Sequence, residues 1–494
     1  MPANTYTTPE ASGITAPFAI PTDLLIGAAW VPAASGARID VIDPAFEAVI
    51  ASVADCDVAE GIAAVDAADA AAKAWAATPS RKRADILMAC FREIMANQEW
   101  LARLISQENG KALPDARGEV AYAAEFFRWY AEEGVRLHGE LSMSPGGTNR
   151  IMVQYQPMGI ALLITPWNFP AAMATRKIAP ALAAGCTVIL KPSDETPLTA
   201  LAVAEIMRRA GVPDGVVNVI NTTKPGPVCS AILHDPRVRK VSFTGSTNVG
   251  KILLRESADQ VISASMELGG NAPFLVLEDA DLDLAIEGAM VAKMRNAGEA
   301  CTAANRFYVA RAVHDQFVEK LVAAMEDYTL GVGLDPSTKC GAMINRASID
   351  KIEMLVADAI GKGAVAKLGC AAPAGKGFFY PPSVLANVGP DAQLLTTEIF
   401  GPVAAVIPFD EVDWAVAQAN ATEYGLAAYV YTENLKTGLQ LAESIECGMV
   451  AVNRGLVSDA AAPFGGVKQS GLGREGAHHG LMEYCEAKYI AVSW

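Results

Sequence analysis

Ile160-Ala161-Leu162-Leu163-Ile164, then Thr165-Pro166-Trp167-Asn168-Phe169-Pro170, then Thr187-Val188-Ile189-Leu190, is the stretch whose reading decides the fold. The two apolar runs are short and read as buried strands. Between them, Arg176 to Ala184 reads as a helix. The alternation continues with a helix over Leu198 to Ala210 and strands over Val216 to Ile220 and Lys240 to Phe243. A βαβα rhythm implies a parallel sheet covered by helices.

Working outward, a second βα series begins at Pro273-Phe274-Leu275-Val276-Leu277. It predicts a helix from Leu282 to Asn296, a strand near Phe307 to Val309 and a helix from Asp315 to Tyr328. Two parallel-sheet α/β domains therefore meet near Glu267 to Gly270. The first 140 residues read as mostly helical, with Ala-rich helical spacing over Ala59 to Ala77 and Arg81 to Glu108. Met1 to Pro21 reads as a partly ordered tail with no signal or transit pattern. Ser142 to Gln156 alternates like a hairpin, and Tyr489 to Trp494 is strand-like. Together they suggest a small β element that bridges subunits. The expected division is 1–140 with 160–266, then 267–477, with 141–159 and 478–494 as the β element.

The 494 residues exceed the size at which one core keeps growing. Hydrophobic residues at 52% provide for large buried sheets, and a net charge of −16 argues against a nucleic-acid partner. Nine cysteines without CxxC spacing, and five histidines that do not cluster, predict neither a disulfide frame nor a metal site. No apolar run is long enough to span a membrane. The expectation is a cytoplasmic protein.

Several segments can carry chemistry, though each alone also has a structural reading. Cys301 in Arg295-Asn296-Ala297-Gly298-Glu299-Ala300-Cys301 and Glu267 in Met266-Glu267-Leu268-Gly269-Gly270 can form a nucleophile and base pair. A lone Cys is otherwise a small core residue. Asn168 sits in a loop at a strand's C-terminal end, where ligands bind in open α/β sheets. Its amide can donate to an oxyanion or simply close a turn. Lys191-Pro192-Ser193-Asp194 can hold a ribose or be an exposed charge cluster. Ser246, in Thr244-Gly245-Ser246-Thr247, is a good helix N-cap beside free N–H groups that suit pyrophosphate. The GxGxxG fingerprint is absent there. Glu398-Ile399-Phe400-Gly401-Pro402 and Pro463-Phe464-Gly465-Gly466 are turns with a carboxylate and a packing aromatic.

In this order these segments resemble the aldehyde dehydrogenase superfamily, from about Leu24 to the C-terminus. The resemblance implies a cofactor domain, a catalytic domain and an oligomerisation element, assembled as a homodimer or homotetramer. It implies Cys301 as nucleophile, Glu267 as base, and Asn168 with the Cys301 N–H as oxyanion donors. Lys177 and Glu475 match positions tied to proton handling. Thr165, Pro166, Trp167, Lys191, Ser193, Asp194, Gly245, Ser246, Glu398 and Phe400 fall at the cofactor site, and Phe169 and Phe464 at the substrate tunnel. The acid at Asp194 favours NAD by repelling a 2′-phosphate, with NADP possible.

Arg176, Arg295 and Ser458 resemble the carboxylate site of succinate-semialdehyde dehydrogenases, since arginine grips carboxylates through a two-pronged fork. The expected substrate is a carboxylated aldehyde: succinate semialdehyde, or a longer ω-oxo acid such as glutarate semialdehyde. A CoA-acylating enzyme or a non-catalytic dinucleotide-binding protein are the alternatives; retention of Glu267 and Cys301 argues against both. Met294 stands where the family usually has Phe, which predicts a wider tunnel. Arg454 adds a cation near the tunnel mouth, and Ala303 removes a second cysteine.

Overall fold

The computed structural model describes residues 4–8 and 15–493. The first sheet has eight strands, in the order Gly471–Leu472, Ser263–Glu267, Val238–Thr244, Ile160–Ile164, Thr187–Lys191, Val217–Val219, Leu24–Ile26, Ala29–Val31. The middle five are parallel; the outer pairings are antiparallel. Every residue of Ile160–Ile164 and Thr187–Lys191 is buried. Helices cover both faces of such strands, which explains why they read as unbroken apolar runs.

The second sheet runs Val365–Leu368, Ser383–Ala386, Val403–Phe409, Ala304–Ala310, Ala272–Val276, Ala427–Tyr431, Met449–Val452. All its pairings are parallel except the first. A separate antiparallel sheet joins Cys485–Val492, Arg150–Pro157 and Glu140–Met143. Among the described residues no helix is long and apolar enough to cross a membrane.

Parallel strands end along one edge, and the register makes this concrete. Ile164 lies opposite Lys191 and Phe243, and Thr244 lies opposite Glu267. The Thr165–Phe169 loop, Lys191–Asp194, Gly245–Ser246 and Glu267 therefore gather at the C-terminal edge of the first sheet, where open α/β sheets bind ligands.

The structure departs from the sequence reading in four places. Residues 24–54 form two β-hairpins before any helix. The stretch from Arg81 to Glu108 is two helices, Ser80–Ala96 and Gln98–Asn109, because Asn97 stops the first. The helix carrying Arg176 begins at Pro170 and runs to Ala184. Its early start has a non-local cause: Glu119 accepts hydrogen bonds from the N–H groups of Ala171 (2.8 Å) and Ala172 (3.3 Å), satisfying donors that the helix itself leaves open. Finally, within the expected N-terminal tail, Thr5–Tyr6 pairs with Ile20–Pro21. Residues 1–3, 9–14 and Trp494 lie outside the described residues.

Candidate active site

Cys301 lies between two devices that fix its place. Just before it the chain turns through three successive left-handed residues, Asn296 (φ 54°), Ala297 (φ 50°) and Gly298 (φ 77°). Non-glycine residues hold such geometry only where their surroundings enforce it. Here Asp115 accepts from the Asn296 N–H at 3.0 Å, and the Asn296 amide donates to the carbonyls of Asn168 (2.9 Å) and Glu299 (3.0 Å). Behind it, a Cβ at Gly270 would stand 2.5 Å from the Cys301 carbonyl oxygen. Glycine is therefore required three residues after Glu267, and the end of the Glu267 strand packs directly against the Cys301 loop.

A cleft of about 1070 Å³, open to solvent, takes in Cys301, Asn168, Arg176, Arg295, Ser458, Phe169 and Phe464. The same cleft is lined by Pro166, Trp167, Gly245, Ser246, Glu398 and Phe400. The structure thus brings the expected nucleophile, the substrate arginines and most of the expected cofactor contacts into one space. Thr165, Lys177, Lys191, Ser193, Asp194, Glu267 and Glu475 do not line it. Of these, Asp194 is exposed and the rest are buried. Neither Met294 nor Arg454 lines the cleft: Met294 is buried in the core of the second sheet, and Arg454 is exposed with its Nε donating to the Leu456 carbonyl at 2.9 Å.

The electrostatics sort these groups. Cys301 is half-buried; burial pushes its thiol up to about 12, with Arg176 pulling the other way. The resting group is a thiol, and a thiolate must be generated for attack. Glu267 is buried, and neither carboxylate oxygen is hydrogen-bonded to a described residue. Burial and the neighbouring Glu475 hold its pKa well above the usual carboxylate range, against the pull of Arg176, Lys177 and Arg474. Burial also pushes Glu475 up, but Arg176 and Lys177 outweigh it and leave its carboxyl below the usual range. Lys177 donates to Glu475 at 2.6 Å and to Ser242 at 2.9 Å. Two carboxylates held apart in this way divide naturally into a fixed anion and a titratable base.

Asn168 is buried, and its Nδ2 donates to the Glu299 carbonyl at 3.0 Å, using one of its two hydrogens. Arg176 is fully buried, ion-paired with Glu475 and stacked with its guanidinium 4.3 Å from the Phe464 ring centre. Arg295 is half-buried beside the Phe169 ring, at 5.2 Å, and makes no ion pair among the described residues. Glu398 accepts from the Gly270 N–H at 3.2 Å; burial pushes its carboxyl up to about 7 against Lys351 and Lys293. Trp167 meets Phe400 edge-on at 5.4 Å. Ser246 caps its helix, accepting from Val249 N–H at 3.4 Å.

The sequence pattern of the aldehyde dehydrogenase family matches residues 30–490. The chain belongs to that family. Among its relatives, the succinate-semialdehyde dehydrogenase of Paenarthrobacter nicotinovorans is 52% identical over 445 residues, 90% of this chain and 99% of that one. The succinate-semialdehyde dehydrogenase [NADP(+)] GabD of Escherichia coli (strain K12) is 46% identical over 469 residues, 95% of this chain and 97% of that one. A crystal structure of succinate-semialdehyde dehydrogenase from Burkholderia pseudomallei superposes with a TM-score of 0.94 at 45% identity, covering 96% of this chain and 98% of that one. As an aldehyde dehydrogenase, the chain has its cleft at the sheet edge that the parallel topology predicts. Sequence reasoning missed Lys111, Glu119 and Asp115, which hold the Asn168 and Asn296 loops, and Tyr122, Met173 and Lys351 on the cleft wall. Nothing in local spacing marks them, because their roles depend on how the Leu113–Glu133 helix and its neighbours dock.

Proposed function

We propose that this enzyme oxidises succinate semialdehyde to succinate with NAD(P). The observation that carries the reading is the presence of Cys301, Arg176, Arg295 and Ser458 in one cleft. Generic apolar aldehydes have no use for two arginines there, whereas a carboxylate does.

The residues present fit the cofactor. Thr244 lines the cleft, and its buried hydroxyl lacks a partner among the described residues, next to a helix N-terminus suited to phosphate. Gly245, Ser246, Trp167, Glu398 and Phe400 line the same cleft, and Lys191 ends a strand of the same sheet with Ser193 and Asp194 just beyond it. NAD(P), when bound, supplies the hydride acceptor.

Once its proton has passed to water in the open cleft, Cys301 adds as the thiolate to the aldehyde carbon, forming a C–S bond and placing the carbonyl electron pair on oxygen. The second Nδ2 hydrogen of Asn168 and the Cys301 N–H stabilise that oxyanion. Re-formation of the C=O bond expels hydride and leaves a thioester on Cys301. Glu267 takes a proton from water, the water oxygen bonds to the acyl carbon, and the C–S bond breaks to release succinate and the thiolate. The charges of Glu475 and Lys177 act on the Glu267 carboxyl and set how readily it ionises again.

In this reading, residues 1–140 and 160–266 form the cofactor domain, 267–477 the catalytic domain, and 141–159 with 478–494 the oligomerisation element. Strand Glu140–Met143 leaves an edge with Leu141 68% exposed, which a second copy would cover in a homodimer or homotetramer. Nine free thiols accord with a cytoplasmic setting.

The test is a panel of ω-oxo acids of increasing length beside butanal, with NAD and NADP. The expected optimum is the four-carbon semialdehyde, and Cys301→Ala is expected to abolish turnover. Equal use of butanal overturns the substrate; a requirement for CoA overturns the hydrolytic step.

A further inference from the structure

Tyr122 is a polar group in the cleft that the reaction above leaves unused. It projects from the Leu113–Glu133 helix and lines the cleft with Arg176, Arg295, Ser458 and Phe464. Its ring is fixed edge-on against Phe126, with centres 4.8 Å apart. Its hydroxyl is shielded from solvent; Arg176 is near enough to donate to its oxygen, while no described residue accepts its proton. Burial keeps the phenol protonated, and Arg176 and Arg295 are close enough to act on it.

The neighbouring groups are the informative part. Arg176 and Arg295 are donors only, so neither can accept the phenolic proton. A buried donor without an acceptor is costly unless a ligand supplies one. Arg176 is moreover tied to Glu475, so much of its charge is already met inside the protein. The charged groups beside the Tyr122 hydroxyl are donors, and such a cluster is complementary to a guest that only accepts, which a carboxylate is.

We propose that Tyr122 donates its hydroxyl proton to the distal carboxylate of the substrate, and so acts with Arg295 and Ser458 as a specificity-determining residue. This rests on the carboxylated-aldehyde reading of the cleft. It deepens that reading by assigning recognition to a neutral donor as well as to charge.

The test substitutes Tyr122→Phe, which keeps the ring and removes only the hydroxyl, and measures kcat/KM for succinate semialdehyde and for butanal. A hydrogen bond to a charged group predicts a fall of about tenfold to a hundredfold in the ratio of the two, carried mainly by KM for the semialdehyde. Inhibition of butanal oxidation by succinate should weaken in parallel. A hydroxyl with a merely structural role moves both substrates together and leaves the ratio unchanged, which overturns the proposal. Arg295→Ala is the reference. If it lowers the ratio and Tyr122→Phe does not, the tyrosine assignment falls while the carboxylate reading stands. If neither lowers it, both fall. Tyr122→Met gives the same comparison should the Phe variant not accumulate as folded enzyme.

Discussion

The Lys111 ammonium donates a 2.7 Å hydrogen bond to the backbone carbonyl of Asn168, and it does so from a fully buried ion pair with Glu119 at 2.6 Å. Glu119 in turn caps the helix that carries Arg176 and Lys177. One pair thus holds both the oxyanion loop and the helix behind it. Removing one partner of a buried pair costs about 3–5 kcal/mol, because the other charge is stranded. Lys111→Met is expected to lower the thermal transition clearly and to reduce kcat through displacement of Asn168. The double variant Lys111→Met/Glu119→Gln should recover part of the stability. A single variant as stable as the parent would show that the pair does not brace the site.

Arg176 and Arg295 face the same cleft with different commitments. Arg176 is buried and paired with Glu475, whereas Arg295 rests beside Phe169 with no carboxylate partner among the described residues. Arg176→Ala should therefore cost about 3–5 kcal/mol by leaving Glu475 with Lys177 alone. Arg295→Ala should cost about 1 kcal/mol or less, the scale of a cation–aromatic contact. Thermal denaturation of the two variants checks this. Equal losses would mean that Arg295 is as structural as Arg176.

How much of this was legible in the sequence depends on where the determinants lie. Ile160–Ile164 and Thr187–Lys191 could be read because a strand buried on both faces leaves an unbroken apolar run. Cys301, Glu267 and Asn168 stood out because each sits near residues with a local signature, glycine or proline. The start of the Pro170–Ala184 helix could not be placed, since its cap comes from Glu119 on another helix. The hairpins over 24–54 are short strands that give a weak period. Tyr122 looks like one more aromatic on an Ala-rich helix until docking turns it toward two arginines. The burial of Arg176 against Glu475 is likewise a product of tertiary packing, and it changes how that arginine's role must be tested.

Glu267 gives a prediction in pH. In the proposed mechanism its ionised form is the working base, and burial with Glu475 beside it holds its pKa well above the ordinary value of 4.5. Deacylation should therefore rise with pH through the folded-state pKa. Glu267→Gln should lose that rise and slow turnover by roughly a hundredfold to ten-thousandfold, while retaining a first-turnover burst of reduced cofactor. The stability effect has the matching sign. Between 4.5 and the raised pKa the folded protein keeps a proton that the unfolded chain has released, so the wild type loses stability as pH rises. The variant lacks this loss and should gain on the wild type as pH increases. Rapid-mixing kinetics and denaturation across the pH range test both halves; a variant with no burst would place Glu267 before hydride transfer.

In the proposed reading, the choice of dinucleotide turns on Asp194 and Lys191. Lys191 is buried at the end of its strand, where burial lowers its pKa and Asp194 partly restores it. Asp194 itself is exposed, and in the proposed reading its carboxylate meets the adenosine ribose. Two unit charges about 4 Å apart in water repel by about 1 kcal/mol, and a 2′-phosphate carries nearly two. The repulsion amounts to roughly a tenfold to thirtyfold preference for NAD. Asp194→Ala should erase most of that preference by improving kcat/KM for NADP, and rising salt should shrink the difference in the parent enzyme. Steady-state kinetics with the two cofactors at low and high ionic strength test it. A parent enzyme that already prefers NADP, with no change in the variant, would mean that Lys191 and Ser193 hold the phosphate and that Asp194 turns away from it.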